Sequence, residues 1–419
     1  MLRPSILLML LSLGATILGA KLYVDRALRS SSNLETPLGP DETTLDYIKA
    51  LEEELDRLNA DNATLRQLIE SDGPISIPSQ LISFVEKDLE LNFKDAPIAL
   101  VRDQHVLRDA SGQAWLSALN EQQLEILSYS FDVLGILPPD QQWIAQVISA
   151  ETTGSRGIYD PSTGEIILAE GFDIENIHHQ AALIRLLTIA LLDQHYPLKD
   201  DPSFDHFIAR RALHFGRASI IQDRFYTLQA KHIGFITERS PNTEAAELFS
   251  KLPIFVQDIT TFANTYGKDY LNQLKSQEDL HQALQSASSS TRDILKKTFP
   301  FNNSQSPNTK PADWTSDSFS IQLDTQLGSL TLKSYLKLHA APSEQLDKWI
   351  TALESDHLSI ATESTQNAHT LWQLQFSEES KSTEFFQWLQ SARQTIPSIV
   401  LTRTSKTVTL THSEGLSNE

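Results

Sequence analysis

Residues 177–195 read IHHQAALIRLLTIALLDQH, and the run AALIRLLTIALL at 181–192 is apolar nearly all round. A helix of that composition belongs in the middle of a fold, not on its surface. Arg185 is the only charge in the run. An unpaired buried charge costs on the order of several kcal/mol, so the guanidinium has to find a carboxylate, reach solvent or open into a cleft. No acidic residue stands three or four positions away on the helix, so a partner comes from elsewhere, with Asp205 and Asp223 both candidates. The competing reading is an arginine at the rim of a partly exposed helix, its stem lying along apolar surface.

The end of this helix, RLLTIALLDQHY at 185–196, resembles the active-site helix of a bacterial zincin-like metallopeptidase family whose pattern there is HELxHALQDQHF. Thr188, Ala190, Leu191, Asp193, Gln194 and His195 fit that pattern. Arg185 and Ile189 stand where it has zinc-binding histidines, and Leu186 stands where it has the catalytic glutamate. In a helical His-Glu-x-x-His, positions i and i+4 share one face, so two imidazoles hold one Zn²⁺ while the glutamate takes a proton from the bound water. A guanidinium offers only donors and repels a divalent cation, and isoleucine has no lone pair to give. The family's third ligand is a glutamate in an EGDA motif. The corresponding stretch ALHFGRAS places Phe215 at that glutamate, Arg217 at the aspartate, and keeps Gly216 and Ala218. The resemblance thus implies a zincin-like fold that has lost its metal and its base: a pseudopeptidase, with no catalytic residue, no metal and no cofactor.

Flanking segments resemble the same family in order. FDVLGILPPDQQW (131–143) and GIYDPSTGEIILAE (157–170) look like its helix end and its hairpin, which makes Tyr159, Asp160 and Pro161 retained motif residues alongside Asp193, Gln194, His195 and Gly216. FANTYGKDYLNQL (262–274), STRDIL (290–295), LGSLTL (327–332), Asp356 and 371–389 continue the likeness, which covers roughly residues 75 to 412. Where the family continues STRDIL with His-Pro, this chain has Lys296 and Lys297.

Composition sets outer limits. The chain has 419 residues, long enough for a sizeable core, and a formal net charge of −20 from 54 acidic and 34 basic side chains, which disfavours nucleic acid and anionic membrane surfaces as partners. With no cysteine there is no disulfide framework, thiol nucleophile or Cys-based zinc site. Residues 6–20 form an uncharged, mostly apolar run after Arg3, extended past Lys21 by residues 22–24. That reads as a membrane anchor over 1–25, with cleavage of a signal peptide near Ala20 as the alternative, although Leu18 fits a small-x-small site poorly. By analogy with exported zincins, the body lies outside the cytoplasm on a single-pass inner-membrane anchor in the cell envelope; cleavage would instead release it to the periplasm or the medium.

A linker over 26–43 leads to a heptad pattern over 44–71. Ile48, Leu55, Asn62 and Ile69 fall at a, and Leu51, Leu58 and Leu65 at d. Isoleucine at a with leucine at d favours two parallel strands, and a single Asn at a sets register. The expectation is a homodimeric stalk, with an amphipathic helix packed on its own domain as the alternative.

The body should be α+β. Residues 80–150 read as mainly helical, with apolar spacing at Leu81, Val85 and Leu89 and at Leu124, Leu127 and Phe131. TGEIILAE reads as a strand following a turn at YDPSTG. The zincin-like part spans 75–300, a linker 301–317, and a small β-rich part of the same body 318–412, ahead of a tail at 413–419. That last part is read as β-β-α-β-β, with a helix over 378–393 and a hairpin turning near Ser405. His178, His179, His195, His206 and His214 lack ligand spacing on a helix. No GxSxG, GxGxxG or GxxxxGK[ST] is present. The expected function is that of a membrane-associated scaffold that binds a protein or peptide partner without hydrolysing it. An envelope tether and a hydrolase with a relocated site are the alternatives.

Overall fold

The structure is a computed structural model that describes residue 49 and residues 73–138, 141–198, 203–233, 243–286, 290–301, 319–363, 367–392 and 399–413. The apolar N-terminal run, the 26–43 linker and the heptad seam Ile48–Ile69 lie outside the described residues, as does nearly all of the 301–317 linker. The chain divides into two units, Met1–Ser71 and Asp72–Glu419. The described residues of the second unit form a mixed α/β body with two sheets.

Helix α1 (Ser79–Leu89) buries Leu81, Val85 and Leu89, the i, i+4, i+8 stripe seen in the sequence. Strand β1 (Ile98–Arg102) comes next, then α2 (Gln104–Leu116), α3 (Glu121–Val133) and α4 (Trp143–Thr152). Asn120 and Gln123 form a reciprocal capping box that starts α3. Hairpin strands β2 (Gly157–Asp160) and β3 (Glu165–Ala169) turn at residues 161–164, where Asp160 accepts from the Ser162 amide and hydroxyl and Gly164 takes φ +71°. β1 pairs parallel with β3, giving a sheet of order β1-β3-β2. β1 is the strand that the mainly helical reading of 80–150 did not single out. Its five residues have no clean alternation, and only pairing with β3, more than sixty residues on, makes them a strand.

The apolar helix α5 occupies Ile177–His195, capped by Asn176, whose side chain accepts from the His178 amide. It packs on the long α6 (Phe204–Ile233). After α7 (Thr243–Ser250), α8 (Ile254–Thr261) runs through a π-turn at Phe262–Tyr266 into α9 (Gly267–Leu271). α10 (Gln277–Gln285) and α11 (Thr291–Lys296) complete the helical part. Its centre is a set of edge-to-face aromatics, among them Trp115 with Trp143 (5.7 Å) and with Phe207 (5.1 Å), and Phe131 with Phe255 (4.8 Å).

The C-terminal part is β4 (Phe319–Thr325), α12 (Gly328–Leu338), α13 (Ser343–Ala352), β5 (Leu353–Glu363), β6 (Ala368–Phe376), α14 (Glu379–Ala392), β7 (Val400–Thr404) and β8 (Thr407–Ser413). The sheet is antiparallel with order β4-β5-β6-β8-β7, and the last hairpin turns at Ser405, φ +49°. The β-β-α-β-β reading therefore needs one more edge strand, β4, and two helices before β5. LGSLTL, within residues 327–332, lies at the start of α12. One buried cluster runs from α1 to β8, so helices and sheet share a core.

Candidate functional site

Leu186 and Ile189 sit one turn apart on α5, each 6% exposed, and α6 brings Phe215 beside them. Together with Arg185 they line a cavity of about 190 Å³ between α5, α6, the β2–β3 hairpin and the end of α4. The hairpin is pressed onto α5: a Cβ on Gly157 would sit 2.6 Å from the Ile167 carbonyl oxygen and 2.9 Å from a Leu186 methyl. Tyr159 then donates to Asp193 Oδ2 at 2.9 Å, while Asp193 Oδ1 accepts from the Leu198 amide at 3.3 Å. Burial, and next the Asp193 carboxylate, push the Tyr159 phenol far above its ordinary range, so it stays a donor.

Arg185 pairs with neither Asp205 nor Asp223. Its Nη1 donates to Ser219 Oγ at 2.6 Å and to the Phe215 carbonyl at 3.4 Å, and its Nη2 donates to Asn264 Oδ1 at 2.6 Å. The guanidinium carbon lies 5.2 Å from the Phe215 ring centroid. Burial, helped by the nearby Arg211, lowers its pKa to about 10, which leaves it charged at neutral pH. Asp223 is taken by Lys268 and Asp205 by Thr291. Sequence proximity had no way to reveal neutral partners drawn from α6 and from the π-turn after α8.

Arg211 also lies over the Phe215 ring, 4.4 Å from the centroid, and stacks on Trp115 at 5.0 Å. It is bound to Glu151 at 2.6 Å, a pair almost wholly buried, and Ser111 donates to the other Glu151 oxygen at 3.0 Å. Both carboxylate oxygens are thereby occupied. Phe215, at the position where the resemblance expects an anionic ligand, therefore has two guanidiniums near its ring.

His214 is 1% exposed and also lines the cavity, yet neither of its ring nitrogens has a hydrogen-bond partner. Burial drives its pKa down to about 3, so it is a neutral ring with one donor and one acceptor. The remaining histidines scatter: His179 Nδ1 accepts from the Asp173 amide at 2.8 Å, and His178 contacts Tyr226 at 3.3 Å. Among the described residues, no group of three or more His, Asp or Glu is placed to hold a metal ion.

The residues that fit the resemblance mostly act as staples. Gln194 accepts from the Lys94 amide at 2.8 Å and donates to the Asp95 carbonyl at 2.9 Å, and His195 Nε2 lies 2.8 Å from the Asn92 carbonyl. His195 thus ties α5 to the loop that follows α1. Arg217 points away from the cavity to Asp88 Oδ1 at 2.6 Å, with Arg224 on the other oxygen, so α6 is bolted to α1. Pro161 lines the cavity beside Tyr159.

A second buried carboxylate centre was invisible in the sequence. Asp205 receives the Thr291 amide and hydroxyl, and Asp356 receives the Leu327 and Gly328 amides at 2.9 and 3.0 Å and the Trp372 indole at 2.9 Å. Burial, and next the Asp356 charge, raise Asp205 to about 7. These bonds join α6, α11, α12 and the sheet.

Comparison of the chain with protein-family models, with curated proteins and with solved structures gives no match in any of the three.

Proposed function

We propose that this chain is a membrane-associated, zincin-like pseudopeptidase that binds a peptide or protein segment in its former catalytic cleft without cleaving it. The observation that carries the reading is the convergence of Arg185, Leu186, Ile189 and Phe215 on one cavity. Those are the positions to which the resemblance assigns two ligands, the base and the third ligand. Each now bears a group that can neither hold a divalent cation nor take a proton from water. The cavity beside Arg185 favours binding over a plain tether, which needs no recess.

On the cavity wall, the described residues do not assemble the parts of a relocated hydrolytic centre. Glu151 is held by Arg211 and Ser111, and Asp193 by Tyr159 and the Leu198 amide. No hydroxyl nucleophile is bonded to His214, whose two ring nitrogens have no hydrogen-bond partner. In this reading the N-terminal segment anchors the chain in the envelope and the heptads hold two copies in parallel, presenting two cavities to one partner.

The test uses the full-length chain in detergent and pools of fluorescent random hexapeptides, half ending as free acids and half as amides. Binding that an Ala150→Trp substitution abolishes, with all peptides recovered intact, is the expected result; Ala150 lies on the cavity wall. Absence of binding, or binding indifferent to that substitution, would remove the cleft from the function. Cleaved peptides would restore the hydrolase.

A further inference from the structure

We propose that the cavity is a receptor for a polypeptide C-terminus, the terminal carboxylate bound by Arg185 at the mouth and the last side chain, of medium apolar size, seated among Leu186, Ile189 and Phe215. This rests on the cleft being a binding site and adds what it recognises.

Size comes first. Ligand pockets for drug-sized molecules run to about 300–1,000 Å³, whereas a cavity of about 150 Å³ is filled by a single benzene. A volume of about 190 Å³ therefore takes one residue-sized group and not a folded segment or an extended run of chain.

Charge comes second. Among the described residues, Arg185 is held only by neutral acceptors: a hydroxyl, an amide oxygen and a backbone carbonyl. Three of the five guanidinium N–H groups account for these bonds, which leaves donors for a ligand. The other charges on the wall are already bonded. Arg211 is locked to Glu151, and Asp193, two turns and about 12 Å of rise along α5 from Arg185, is tied to Tyr159. A monoanion at Arg185 completes the pattern. A dianion such as phosphate would bring a second charge that no group at this site neutralises.

Position comes third. Asn264 is exposed and Arg185 half-buried, while Leu186 and Ile189 lie deep, so the charged end of an occupant stays near solvent and its apolar end points inward. The last residue of a peptide has that polarity, with the preceding chain leaving through the mouth.

The experiment is fluorescence polarisation on the full-length chain with hexapeptides of one sequence ending in Ala, Val, Leu or Trp, each as acid and as amide, alongside free leucine and hexanoate as competitors. The expected result is binding of the Val and Leu acids about 10- to 100-fold tighter than their amides, as for loss of a charge-assisted hydrogen bond. Arg185→Gln should erase the acid preference while leaving residual amide binding, and Ala150→Trp should remove both. Equal affinity for acid and amide would overturn the carboxylate assignment while leaving the binding cleft intact. Displacement of the peptide by free leucine or hexanoate at equal concentration would make the ligand a small acid and overturn the polypeptide. No binding of any peptide by the unsubstituted protein would end both readings.

Discussion

Gly216 on α6 lies against Gly267 at the start of α9 so closely that a Cβ on Gly216 would stand 2.4 Å from the Gly267 carbonyl carbon. The contact is mutual in its demand for space, since a Cβ on Gly267 would stand 1.9 Å from the Ala212 carbonyl oxygen. Backbone, not a side-chain tip, fills both positions, so neither can yield by a rotamer change. Arg185 draws its partners from the same neighbourhood, Ser219 from α6 and Asn264 from the π-turn that leads into α9.

Gly216→Ala and Gly267→Ala should therefore each destabilise the body by about 1–3 kcal/mol, the range for overpacking a close-packed contact. Urea unfolding followed by tryptophan fluorescence measures it. A change within about 0.5 kcal/mol in both variants, the size of an ordinary surface substitution, would mean that the helices do not cross this tightly.

Asp88 binds two arginines of unequal burial. Asp88→Ala should cost about 3–5 kcal/mol, because it strands Arg217, whose side chain is 13% exposed. Arg224→Ala should cost less than about 1 kcal/mol, since that side chain is 59% exposed and solvent screens its share of the pair. Equal losses in the two variants would contradict the asymmetry.

Stability should depend on pH through Asp205 and His214 in opposite senses. Asp205 is raised from 3.8 to about 7, so the folded state holds the proton more tightly; its contribution is full below about 3.8 and is lost as pH rises through about 7. Asp356 moves in the same direction, with burial as the first cause. Asp205→Asn should flatten the decline of unfolding free energy between about pH 4 and 7. An unchanged slope would show that Asp205 titrates normally.

His214 is lowered from 6.5 to about 3, so the unfolded chain takes the proton first; its contribution is present above about 6.5 and is lost as pH falls toward about 3. His214→Leu should reduce acid destabilisation over that interval, and denaturation midpoints at stepped pH will show it. Identical acid profiles for the two proteins would mean that the ring is hydrated and ordinary.

Elemental mass spectrometry on the full-length chain, dialysed against zinc and then against buffer, should give zinc at the buffer background. About one Zn²⁺ per chain, lost on substituting His195 or His206, would point to a metal site that the side chains of α5 and α6 do not suggest.

What the sequence determined on its own was local. The apolar run at 181–192 sets a central helix whatever surrounds it, the Asp160–Gly164 turn sets a hairpin, and alternation either side of Ser405 sets another. The identities of Arg185, Leu186, Ile189 and Phe215 likewise remove four positions from metal and acid–base chemistry before any contact is known. Only the tertiary structure decided what depends on groups far apart in the chain. It made a strand of Ile98–Arg102 by pairing it with β3, gave Arg185 neutral partners from residues 215, 219 and 264, sent Arg217 to Asp88, and placed His214 unbonded on the wall of a cavity. The division comes from range: periodicity and turn chemistry act over a few residues, whereas pairing of buried polar groups is settled by whichever donors and acceptors the packed core brings within about 3 Å of each other.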